Sequence, residues 1–125
     1  MEILPKDSLL NLSGKTAIVT GGSLGIGYGI SYRLAEAGAN VVITSRNLEE
    51  VNKAVEELKQ KGFNAAGVKT DVSIETEVKN LVAEAIKSFG SVDILINNAG
   101  VFPFAPLSQL TSELFDKVIA TNLRG

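Results

Sequence analysis

Four short runs rich in Val and Ile, Lys15–Thr20, Asn40–Thr44, Ala65–Thr70 and Val92–Ile96, alternate with stretches of helical spacing. This alternation constrains the fold more than any other feature of the chain. The first, second and fourth runs are nearly continuous in apolar character, as strands covered on both faces should be. The third is weaker and suits an outer strand. Between them, Ile26, Ile30, Leu34 and Ala37 form one apolar stripe closed by Gly38. Leu48, Val51, Val55 and Leu58 form a second, with Glu49 and Glu50 early, Lys59 and Lys61 late, and Gly62 as the stop. Acid first and base last complements a helix dipole. A third helix is expected from Ser73 as N-cap, with stripe Val78, Leu81, Val82, Ala85, Ile86 and Phe89, ending at Gly90. A fourth is expected from near Thr111, with stripe Leu114, Phe115, Val118 and Ile119, to the last residue.

Strands alternating with helices at this spacing imply right-handed βαβ units and a parallel sheet. The segments share no motif beyond the alternation, so a doubly wound α/β sheet is favoured over a solenoid. The chain has 125 residues, enough for one domain and too few for two. Residues 1–12 read as an amino-terminal extension and residues 13–125 as the domain. Only Gly100 to Ser108, with Pro103 and Pro106, reads as a long loop.

Composition removes most catalytic machinery. Cys and His are both absent, which excludes disulfides, thiol nucleophiles, imidazole acid–base chemistry and Cys/His zinc sites, and no metal site is expected. A net charge of −2 offers no basic footprint for nucleic acid and no polybasic patch for anionic lipid. The first ten residues lack a basic start and a long apolar stretch, and no run is long enough to span a bilayer. A cytoplasmic location is the expectation.

What remains is a phosphate site. Thr20-Gly-Gly-Ser-Leu-Gly-Ile-Gly27 follows the first strand and opens the first helix. Such a turn presents free backbone N–H groups and the positive end of a helix dipole, and glycines let a pyrophosphate approach the backbone. The spacing is G-x-x-x-G-x-G, and no Lys-Ser/Thr pair follows, which excludes a Walker loop. The end of the second strand, Thr44-Ser45-Arg46-Asn47, carries no acid for a ribose 2′-OH. Arg46 can instead meet a 2′-phosphate, with Ser45 adding a hydroxyl. A charge-assisted hydrogen bond of ~1.5–3 kcal/mol corresponds to a roughly ten- to hundredfold preference. The alternative is that Arg46 is a solvated residue before a helix.

Thr20-Gly-x-x-x-Gly-x-Gly27 resembles the cofactor fingerprint of the classical short-chain dehydrogenases/reductases. Asp71-Val72, Asn97-Asn98-Ala99-Gly100 and Asn122 within Thr121-Asn-Leu-Arg-Gly125 resemble its later landmarks, in the family's order, so the resemblance spans residues 13–125. It implies the first half of a Rossmann-type sheet, ordered 3-2-1-4 in the part present and continuing beyond it. It implies hydride transfer between NAD(P)(H) and an alcohol or carbonyl substrate, with NADP(H) favoured over NAD(H), and a full-length homo-oligomer, a tetramer or dimer. Cofactor positions are then expected at Gly21, Ser23, Leu24, Gly25, Ile26 and Gly27 in the turn, and at Ser45 and Arg46. Leu24 stands where similar members often carry a second base. By the same resemblance Asp71, with Val72 alongside, accepts from the adenine amino group, and Asn98, Ala99 and Gly100 lie against the riboses. Asp71 could instead only help to cap the next helix.

Asn122 falls on the apolar stripe of the last helix, where a buried amide needs partners or costs ~1–3 kcal/mol. The resemblance gives it a water in a proton relay to a catalytic Lys; a neighbouring backbone carbonyl could equally satisfy it. The family's Ser and Tyr-x-x-x-Lys have no match. Tyr28 is followed four residues later by Tyr32, and Tyr32 by Glu36, so both tyrosines read as packing or surface residues. The 125-residue chain is therefore expected to be a truncated, inactive cofactor half, with an apolar edge at Val92–Ile96 that promotes association. The alternatives are a non-catalytic NADP(H)-binding module and a fragment that works only when a partner chain completes the sheet.

Overall fold

A computed structural model describes residues 10–125, so most of the expected extension lies outside the described residues. Four strands, β1 (Thr16–Thr20), β2 (Asn40–Ser45), β3 (Ala65–Lys69) and β4 (Ile94–Ile96), form one sheet ordered β3-β2-β1-β4. All three pairings are parallel, with Ile18 opposite Val42 and Leu95, and Ile43 opposite Gly67. The 3-2-1-4 order expected from the sequence is the order observed.

The connections are helices α1 (Gly25–Glu36), α2 (Leu48–Gln60) and α3 (Glu75–Phe89). Strand side chains alternate between the faces. Val19, Val41 and Ile43 pack with Ala35, Val51, Val55 and Leu58 under α1 and α2. Ile18 and Val42 pack on the other face with Leu81 and Ala85 of α3. The sheet is thus wound on both sides. After β4 the chain runs through a single 3₁₀ turn (Leu107–Gln109) into α4 (Ser112–Ile119), which continues as a π-helical turn, Ala120–Arg124.

Four local expectations are corrected. The buried residues of α1 are Gly27, Ser31 and Ala35, and of the expected stripe only Ile30 and Leu34 pack against the core, from its margin. Small residues let the helix approach closely, while Ile30 and Leu34 flank them half-buried and Ile26 is 81% exposed. Ser73 does not cap α3. Ile74 holds the N-cap position with no side-chain cap, and the Ser73 hydroxyl donates to Asp71 at 2.6 Å. β4 begins at Ile94 instead of Val92. The Asp93 N–H still pairs with the Thr16 carbonyl (2.9 Å), but the Asp93 carboxylate accepts from the Thr16 N–H (2.9 Å) where a backbone carbonyl would continue the ladder. Finally, the stripe of α4 is only partly covered: none of its residues is buried, and Phe115 is exposed.

Candidate functional site

The glycine turn joins β1 to α1 through backbone that only its glycines allow. Gly21 has φ 62° and Gly25 φ 54°, both left-handed. A Cβ on Gly27 would lie 2.0 Å from the Gly21 carbonyl oxygen and 2.5 Å from the Asn98 amide nitrogen, so the turn closes only with glycine there. Asn98 braces it from below, its side-chain amide donating to the carbonyls of Thr20 (3.0 Å) and Gly21 (3.2 Å). The Thr20 hydroxyl accepts from the Asn98 and Ala99 N–H groups, each at 3.0 Å, tying the segment after β4 to the same turn.

The N-termini of α1 and α2 are prepared differently. α1 has Leu24 at its N-cap, no side-chain cap and no acid in its first turn. Its first N–H groups and dipole therefore face outward unneutralised. α2 is closed: the Asn47 side chain accepts from the N–H groups of Glu49 and Glu50, and both glutamates lie in the first turn. Of the two, α1 is the end suited to an anion.

A cavity of about 330 Å³ opens at the carboxyl ends of the strands, where open α/β sheets take ligands. Gly21, Ser23 and Leu24 line it from the turn, Ser45 and Arg46 from β2, Asp71 and Val72 from β3, and Ala99 and Gly100 from the segment after β4. Nine of the residues singled out in the sequence thus converge on one cavity. Five do not line it, Asn122 among them. Gly27 and Asn98 form its support beneath the turn, Gly25 faces a neighbouring hollow beside Tyr28 and Glu57, and Ile26 lines an apolar groove with Leu12 and Leu34 on the outer side of α1.

Thr44, Thr70, Asn47, Glu50, Val101 and Thr121 line the cavity as well, though the sequence reading passed over them. Thr44 and Thr70 are fully buried, and their hydroxyls have no protein partner among the described residues. The hydroxyl of Thr16, away from the cavity, is in the same condition, so this feature belongs to the strands rather than to the site. The available signal was a polar residue closing each of two apolar strands, and Asn47 ahead of two glutamates as a cap.

The charges are sparse. Arg46 is exposed, with no carboxylate within ion-pair distance among the described residues. Asp71 accepts from the Ser73 hydroxyl and N–H. These bonds, aided by the charge of Arg46, hold its carboxyl below the ordinary aspartate value. Its own N–H donates to Glu77 (2.6 Å). Tyr28, by contrast, is held above the ordinary tyrosine value by burial and by the Glu57 carboxylate, which fits a packing residue rather than an acid.

Asn122 sits in the π-helical turn, not in a regular α-helix, and it is exposed rather than buried. Its side chain accepts from the Val101 N–H (2.8 Å) and donates to the Val101 carbonyl (3.0 Å), which clamps the loop beyond Gly100. Among the described residues no helix is long and apolar enough to cross a membrane.

Comparison with known proteins agrees with this geometry. The family model for short chain dehydrogenase matches residues 15–125. A probable tetrahydroxynaphthalene reductase of Zymoseptoria tritici is 37% identical over all of this chain and 47% of its own length. A 3-oxoacyl-(acyl-carrier-protein) reductase of Staphylococcus epidermidis is 40% identical over 89% of this chain and 46% of its own. A crystal structure of a dehydrogenase/reductase from Sinorhizobium meliloti superposes with a TM-score of 0.90 at 39% identity, over 94% of this chain and 47% of that one. The chain spans somewhat under half the length of the curated relatives it matches. With its glycine turn, its sheet order and the convergence of its landmarks on one cavity, the chain belongs to the short-chain dehydrogenase/reductase family of nicotinamide-dependent oxidoreductases.

Proposed function

We propose that this chain is the cofactor half of an NADP(H)-preferring oxidoreductase that exchanges hydride between the nicotinamide and a small alcohol or carbonyl substrate. The observation that carries the reading is the junction of β2 with α2, where Arg46 stands beside Ser45 with no ion-pair partner among the described residues, and no acid occupies the end of the strand. The residues fit the group. Gly21 to Gly27 offer a turn and an uncapped helix end to the pyrophosphate, with Ser23, Leu24, Gly25 and Ile26 contributing backbone around it. Ser45 and Arg46 meet the 2′-phosphate, Asp71 and Val72 the adenine, and Ala99 and Gly100 the riboses, with Asn98 as their brace. The bound cofactor supplies the hydride; the chain's residues supply binding and orientation. Asn122 is assigned a positioning role through its hold on Val101, next to the segment that faces the riboses.

The catalytic Ser, Tyr and Lys that the family resemblance implies have no counterpart in these residues, so the 125-residue chain alone is expected to bind cofactor without turnover. The complete protein is expected to be a cytoplasmic homo-oligomer. A second reading, in which a partner chain completes the sheet, is favoured by the free outer edge of β4, where Leu95 is 56% exposed.

Nicotinamide fluorescence during titration of the chain with NADPH and NADH tests the reading. NADPH is expected to bind roughly ten- to a hundredfold more tightly. Arg46→Ala should erase that difference while leaving NADH affinity in place. Equal affinities in the unaltered chain would remove the NADP preference, and failure to bind either nucleotide would remove the cofactor reading itself.

A further inference from the structure

The cavity that Arg46 lines is also lined by a carboxylate that the cofactor reading does not use. Glu50 is half-buried in the first turn of α2. One of its carboxylate oxygens accepts from the Asn47 side-chain amide at 3.1 Å, and the other lies 3.5 Å from the Ser23 hydroxyl on the glycine turn. The side chain thus spans from α2 to the turn, and both of its anchors line the same cavity as Ser45 and Arg46. Among the described residues no cation lies within ion-pair distance of it.

We propose that Glu50 is a specificity-determining residue of this pocket, set against Arg46 so that discrimination between phosphorylated and unphosphorylated ribose is narrowed. The proposal rests on the cofactor reading above. Arg46 is the one basic residue among those lining the cavity, against the two acids Glu50 and Asp71. The N–H groups of Glu49 and Glu50 at the start of α2 are not free to receive a phosphate, because Asn47 already takes them at 3.0 and 3.3 Å. Leu24, on the turn, contributes no charge. A 2′-phosphate, with close to two negative charges, therefore meets one cation and, in the lining of the same cavity, a carboxylate with no cationic partner among the described residues. A 2′-hydroxyl meets the same carboxylate as a hydrogen-bond acceptor. One group thus opposes the first cofactor and accommodates the second, which is how specificity is set by repulsion as well as attraction.

Glu50→Gln keeps the shape and the hydrogen-bonding reach while removing the charge. In the 125-residue chain it is expected to tighten NADPH binding roughly tenfold at low salt, the scale of one screened charge contact, and to leave NADH binding unchanged or weaker. The gain should shrink in 0.5 M NaCl, used because salt screens the contact. Glu50→Asp, which draws the charge back toward its own helix, should raise the NADPH-to-NADH ratio in the same direction by less, and it serves as the reading if the Gln variant loses its far-UV dichroism. A change of both affinities by one factor, or no change in their ratio, would overturn the role of Glu50 while leaving the cofactor reading intact. Failure of the unaltered chain to bind either nucleotide would overturn both.

Discussion

Asp93 shows how one side chain sets both a boundary and a pH dependence. Its carboxylate accepts from the Thr16 N–H and the Ser91 hydroxyl, with Lys15 3.5 Å away. These partners, the backbone bond first, hold it below the ordinary aspartate value. A carboxyl depressed in the folded state adds stability that is fully present above its unfolded value of about 3.9 and is lost as pH falls through the lower folded value. The thermal midpoint should therefore hold steady from pH 7 to about pH 5 and drop below about pH 4. Asp93→Asn should start lower at pH 7 and fall less over the same interval. Asp71 is depressed in the same direction, so part of the slope should survive. Identical slopes in the two proteins would show that Asp93 does not contribute. At this scale the sequence was legible where chemistry and backbone coincide, as at Gly21 and Gly27. It was not legible where a side chain could choose between partners. Ser73 reads as a cap, yet its hydroxyl goes to Asp71; Asn122 does find a backbone carbonyl, that of Val101, but in an exposed turn rather than a buried stripe.

Among the elements, the link between β1 and the segment after β4 does the most to build the cavity. The Thr20 hydroxyl donates to the Ile96 carbonyl (3.2 Å) and accepts two N–H groups, so one buried oxygen joins the glycine turn to the residues facing it. Thr20→Val keeps the volume but strands the Ala99 N–H and leaves the Asn98 N–H and Ile96 carbonyl only their mutual bond at 3.1 Å, at an expected cost of roughly 1–3 kcal/mol in stability. Amide exchange at Asn98 and Ala99 should accelerate selectively. Unchanged exchange there would mean that the segment is held by other contacts. The existence and order of the elements were readable because apolar runs and helical spacing alternate without a break. Their faces were less so. In α1 both Ile26–Ile30–Leu34 and Gly27–Ser31–Ala35 recur at helical spacing, and hydrophobicity favours the first. Packing chose the second, because small side chains bring the helix onto the strand and place its free N-terminus at the cavity.

For the whole molecule, sheet order and winding followed from the alternation and the handedness of βαβ units, and the match to solved relatives is close. The apolar edge at Val92–Ile96 was expected from the sequence; what periodicity could not reveal is that exposed apolar side chains also lie on α3 and in the loop after β4. Val82 and Ile86 on α3, Leu95 on β4, and Phe102 and Phe104 beyond it are all exposed, the two phenylalanines at 93% and 94%. An open strand edge flanked by apolar side chains favours self-association. Sedimentation velocity should show a weight-average coefficient that rises with concentration, and Leu95→Lys should lower it. A single monomeric boundary at every concentration would contradict this.

The central claim is that four segments far apart in sequence form one dinucleotide site at the carboxyl ends of the strands. Backbone amide chemical shifts of the isotope-labelled chain, followed during NADPH addition, test it most directly. A dinucleotide site predicts perturbations grouped at Gly21–Gly27, Ser45–Arg46, Asp71–Val72 and Ala99–Gly100, with the distant end of the sheet near Phe63 and Ser91 unmoved. Shifts scattered over the surface, confined to the apolar groove beside Ile26, or absent at saturating nucleotide would contradict it.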